Sequence, residues 1–159
     1  MNKLIVSMLT GMLSMTATSQ ASGEPVPYPG DYRSWKHIKS MLIQPGHELE
    51  TPFQGLHHVY ANKQAVAGLK NNRFKDGAVL VFDLLNYTEK DKTIQEGARK
   101  LIGVMYRDEK KYFETGGWGF EGFRGNSKTD RLVTDGGLSC YGCHAPQKSN
   151  QYVFSKDRL

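Results

Sequence analysis

Close to its C-terminal end the 159-residue chain carries the run Cys140-Tyr141-Gly142-Cys143-His144, and it has no other cysteine. Two thiols three residues apart share one helical turn, and His144, four residues after Cys140, lies on the same face. At that spacing each thiol can add to a vinyl group of one haem while the imidazole reaches the iron, which is the c-type attachment pattern. Other readings of the pair fit less well. A thioredoxin-type dithiol follows a strand near the start of a βαβ unit, and no such unit is visible. A zinc site calls for a second pair of ligands, and the sequence has no second cysteine pair. A single disulfide is the remaining alternative, ordinary in an exported chain.

The N-terminus points to export. Lys3 precedes a mostly apolar stretch, Leu4 to Met15, too short to span a bilayer comfortably. Ser19-Gln20-Ala21 supplies the small-x-small pattern of a cleavage site. Residues 1–21 therefore read as a signal peptide, with an uncleaved anchor or a buried helix as the alternative. Residues 22–159 read as one domain in the periplasm. Lys3 is the segment's only charge, so the mature chain keeps 20 basic and 16 acidic residues, a net of +4. No basic stripe interleaved with aromatics appears, which argues against a nucleic-acid partner. No second long apolar stretch suggests a membrane span in the mature chain.

The patterning between these ends predicts an α+β fold, mainly an antiparallel β-sheet with a few packed helices and a C-terminal haem-attachment segment. After the Pro-rich stretch Glu24 to Gly30, Asp31 or Ser34 is placed to cap a helix running to about Ile43, with Trp35, Ile38 and Leu42 on one face. Leu56 to Tyr60 suggests a short strand, and Asn62 to Leu69 a helix capped by Asn62. Lys75-Asp76-Gly77 is a turn. The near-continuous apolar run Ala78 to Leu85 is the strongest strand, and Arg99 to Arg107 is another. Thr115 to Phe123, rich in Gly and aromatics, reads as strand and turn, because helices disfavour Gly. Asn126 to Asp130 is a loop, and Leu138 to Ala145 turns helically around the cysteines. Most connections are too short for parallel crossovers, so an antiparallel sheet is favoured.

A sixth iron ligand has six candidates: Met41, Met105, His37, His47, His57 and His58. Met105 in its apolar strand and Met41 in the first helix read as core. His57 and His58 are neighbours in a strand and point to opposite faces, so one at most faces a haem. His37 and His47 read as solvated. None stands out, and an open coordination position is the reading.

Four segments, GLHHVYAN (55–62), FKDGAVLVFDL (74–84), GGWGFEGF (116–123) and CYGCH (140–144), in this order and spacing, carry a resemblance over nearly the whole mature chain. The chain resembles the cytochrome P-460 family, and within it the gas-binding branch, cytochrome c′-beta. The resemblance implies an antiparallel sheet with helices, a homodimer, one covalently attached haem c and a five-coordinate iron on His144. It also implies two phenylalanines over the distal face. Phe53 and Phe82 fall at the expected spacings before His144, with ordinary core aromatics as the bland alternative.

The resemblance implies a binding protein for NO and CO, with NO scavenging or storage as its role. Three carboxylates and three lysines bear on an alternative, a hydroxylamine-oxidising enzyme with a lysine–haem crosslink and a distal carboxylate. Lys63, Lys70 and Lys75 are the candidate lysines, each near a helix end or turn where solvation is the default. Asp83, Glu114 and Glu121 are the candidate bases, each read as a surface charge or turn residue, and Asp83 alternates to the face opposite Phe82. A second alternative is an electron carrier with Met105 on the iron and a redox partner protein.

Overall fold

The apolar run at the centre of the sequence becomes the centre of the sheet. The computed structural model describes residues 25–158, so the expected signal peptide lies outside the described residues. These residues form one five-stranded antiparallel sheet in the order β1-β2-β3-β4-β5. The strands are β1 (Lys36–Ile43), β2 (Gly55–Ala61), β3 (Val79–Lys90), β4 (Thr93–Arg107) and β5 (Trp118–Arg124). Each strand pairs with the next in sequence, as the short connections require. Three short helices are inserted: α1 (Glu50–Phe53), α2 (Lys63–Asn71) and α3 (Leu138–His144). The α+β expectation is met.

One expected element is different. The helix expected up to Ile43 is instead the edge strand β1, preceded by a single 3-10 turn at Tyr32–Ser34. A bulge between His37 and Lys39 shifts the register against β2. An inserted residue breaks the period-two alternation, and the helix-like spacing of Trp35, Ile38 and Leu42 marks no common face: Ile38 packs on one side of the sheet and Trp35 on the other. The central hairpin is also longer than its apolar cores. Polar residues extend β3 to Lys90 and begin β4 at Thr93, with Asp91 and Lys92 both at positive φ in the two-residue turn. Elsewhere the local chemistry works as expected. The Asn62 side chain accepts from Ala65 N at 2.9 Å and caps α2.

The two faces of the sheet carry different cores. On one face Val59, Ala61, Leu80, Trp118 and Phe120 pack with Ala65 of α2, Phe74 and Val153, and half-buried Phe82, Met105 and Cys140 join them. On the other face Val81, Ile102, Val104 and Phe123 pack against Val26 and Tyr32 of the N-terminal segment. Trp118 ties the C-terminal segment to the first face, its indole Nε1 donating to the Gln151 carbonyl at 2.9 Å. That anchor brings residues 152–154 back onto α3.

Candidate functional site

The CYGCH run occupies the last five residues of α3. Asp135 organises the helix start by accepting from Gly137 N at 3.0 Å and Ser139 N at 2.8 Å. Gly137 sits at φ +92°, and a Cβ there would stand 3.1 Å from the Phe120 Cβ. A side chain at this position would be both strained and crowded, so glycine lets α3 lie against β5. Both cysteines are free thiols, Cys143 exposed and Cys140 half-buried. Burial pushes the Cys140 thiol above its ordinary value, with Asp135 adding to the effect.

His144 is the best-organised side chain here. Its Nδ1 lies 2.7 Å from the Tyr152 carbonyl. A carbonyl only accepts, so Nδ1 carries the proton and Nε2 presents a free lone pair. The ring stands between Phe120, at 5.1 Å between centroids, and Phe154, at 4.9 Å. Burial lowers its pKa below the usual histidine value, partly offset by the Tyr152 carbonyl. A neutral imidazole, oriented by a backbone acceptor on one nitrogen and open on the other, is the arrangement of a metal-ligating histidine. Phe154, packed against it, is about half exposed, at 52%. This exposed apolar ring suits a large flat apolar ligand. Phe120, Tyr152 and Phe154 were not among the site residues expected. Period-two alternation through Trp118–Arg124 could have placed Phe120, but the return of the C-terminal segment has no local signature.

Across the same face, Phe53 at the end of α1 and Phe82 of β3 form an edge-to-face pair, with centroids 5.7 Å apart and planes at 80°. Both are half-buried. In register, Phe82 stands between Val59 of β2 and Gly103 of β4. A Cβ on Gly103 would touch its side chain at 3.5 Å. The adjacent histidines separate as alternation requires. His57 lies on this face, 4.4 Å from the Phe82 ring and 1% exposed. His58 turns to the other face, where its Nε2 meets Glu96 at 2.7 Å. Burial, together with the charge of Lys39, pushes His57 down to about 4, so it stays neutral near pH 7. Met105 is half-buried on the Phe82 face, in register with Leu80 and Phe120. Met41 is partly exposed on the edge strand, and His37 and His47 are exposed.

The carboxylates require a correction. Asp83 is not a surface charge: it is fully buried on the face opposite Phe82. It accepts from Tyr32 Oη at 2.8 Å, Arg99 Nε at 2.6 Å and Arg33 Nη2 at 3.0 Å. Burial pushes its carboxyl up, but these donors outweigh that and hold it below the usual range. Glu121 is also buried, paired with Arg131 at 2.6 Å and in register with Val104 of the same opposite face. Only Glu114 is exposed as expected. The reason is tertiary: the arginines that compensate these acids come from other segments, and a buried charge is kept only with such partners. Lys63, Lys70 and Lys75 are exposed on α2 and in the following loop. Of the two lysines that β1 brings to the Phe82 face, Lys36, in register with Ala61, is exposed, and Lys39, in register with Val59, is half-buried; the sequence reading missed both.

The family model for cytochrome P460 matches residues 29–155. The chain belongs to the cytochrome P460 family. It is therefore a haem cytochrome, and the matched span holds every residue of the site just described. No curated protein matches the chain. The residues fit a haem. His144 offers the iron a neutral nitrogen with an open lone pair, Cys140 and Cys143 are free thiols on its helix, Phe154 packs on the imidazole, and Phe120, Met105 and Phe82 share one apolar side of the sheet.

Proposed function

We propose that this member of the cytochrome P460 family is a periplasmic, homodimeric mono-haem protein that binds NO and CO at an open iron position, as a scavenger or store of NO. In this reading Cys140 and Cys143 hold the haem through two thioethers and His144 is its proximal ligand. When bound, the haem supplies the coordination position that takes the gas. The observation that carries the reading is the Phe53–Phe82 pair on the face that also receives His144. An edge-to-face aromatic pair is apolar, admits a small diatomic and offers a proton no acceptor. The acids that would serve as a base, Asp83 and Glu121, belong to the opposite face and are held by arginines. General-base help is worth about 10²–10⁴-fold in rate, and acids held by arginines on the opposite face do not supply it, which favours binding over turnover.

Hydroxylamine oxidation has one observation on its side, the half-buried Lys39 on the Phe82 face. Intact mass and turnover separate the two. Binding predicts the mature chain plus one haem added through two thioethers, and no sustained hydroxylamine oxidation with an artificial electron acceptor. A third covalent link to a peptide bearing Lys39, Lys63, Lys70 or Lys75, together with steady turnover, would reverse the assignment.

A further inference from the structure

His57 is the least ordinary side chain near the phenylalanine pair. A histidine that is 1% exposed is normally hydrogen-bonded, and its Nδ1 has no partner. No hydrogen bond at that nitrogen fixes the ring's orientation. Its close aromatic contact is with Phe82, the ring centroids 4.4 Å apart and the planes tilted by 35°. Phe82 in turn meets Phe53 edge-on. Beneath Phe82, Gly103 contributes no side chain that would fix the phenyl from β4. His57 is itself held in the middle of β2, with Met41 and Leu84 as its neighbours across the strands.

We infer that His57 is a positioning residue for the distal wall: its ring sets where the Phe82 ring stands, and so how readily a small ligand reaches the haem. This rests on the gas-binding reading of the site. The imidazole acts as a flat, neutral plate against the phenyl, which Phe53 meets edge-on. The contribution is one of shape and ring contact. Phenylalanine can therefore replace His57, whereas a residue without a flat face cannot.

The test is CO recombination after flash photolysis of the haem-loaded protein. It compares the wild type with His57→Ala, Phe82→Ala, the double variant and His57→Phe. His57→Ala should raise the association rate about twofold to tenfold, the equivalent of losing one aromatic contact. The double variant should be no faster than Phe82→Ala alone, and His57→Phe should restore the wild-type rate. If His57→Ala does not fold, His57→Leu, which lacks a flat face, replaces it with the same expected acceleration. Multiplying effects in the double variant, or an unchanged rate in His57→Ala, would overturn the inference while leaving gas binding intact. A wild-type protein that carries haem but takes up no CO would overturn the gas-binding reading itself.

Discussion

Phe82→Ala tests the distal wall most sharply, because the structure allows its cost to be worked out beforehand. Truncating a fully buried phenylalanine costs about 3–5 kcal/mol. Phe82 keeps a minor part of its surface exposed, which brings the burial part to or just below the low end of that range, about 2–3 kcal/mol. Its edge-to-face contact with Phe53 and its tilted contact with His57 are ring–ring contacts that a non-aromatic neighbour would not make, each worth about 0.5–1.5 kcal/mol where well formed. Part of that is already counted in the burial. The expected loss is therefore about 2–3 kcal/mol, read as a shift of the urea midpoint at unchanged slope. The same variant should bind CO faster and admit bulkier ligands. A loss below about 0.5 kcal/mol, with ligand rates unaltered, would mean that the ring packs against nothing and guards nothing.

Two further outcomes follow from the geometry. Asp83→Asn should cost about 2–4 kcal/mol at pH 7, somewhat less than a fully buried broken pair because Arg33 is half exposed and screened. Its folded pKa is depressed, so its contribution is present above the unfolded carboxylate value and lost as the pH falls through the folded one. Denaturant curves for wild type and variant should converge in acid, and the haem spectrum should not change, since Asp83 lies on the opposite face. Replacing both Cys140 and Cys143 with Ala should let the haem pass into acid–acetone, which it should resist in the wild type.

What was legible in the sequence was local. The placing of Cys140, Cys143 and His144 on one short helix needs only their spacing along one turn. Asn62 announces α2 through a side chain that bonds its own helix start. Strict alternation was enough to send His57 and His58, and Phe82 and Asp83, to opposite faces. What could not be read depended on partners distant in the chain. The bulge after His37 is visible only once β2 is laid beside β1, so from its spacing alone the stretch reads as a helix. Asp83 passes for a surface acid until Tyr32, Arg33 and Arg99 close around it. The setting of His144 waits on the Trp118–Gln151 hydrogen bond, which returns Tyr152 and Phe154 to the imidazole.

The optical spectrum of the purified ferrous protein, recorded before and after NO, tests the central claim most directly. An iron held by His144 alone on the protein side, behind an apolar wall, predicts a high-spin five-coordinate spectrum that NO converts fully. A low-spin six-coordinate spectrum that NO leaves unchanged, and that becomes high-spin in Met105→Leu, would contradict the account and make the protein an electron carrier.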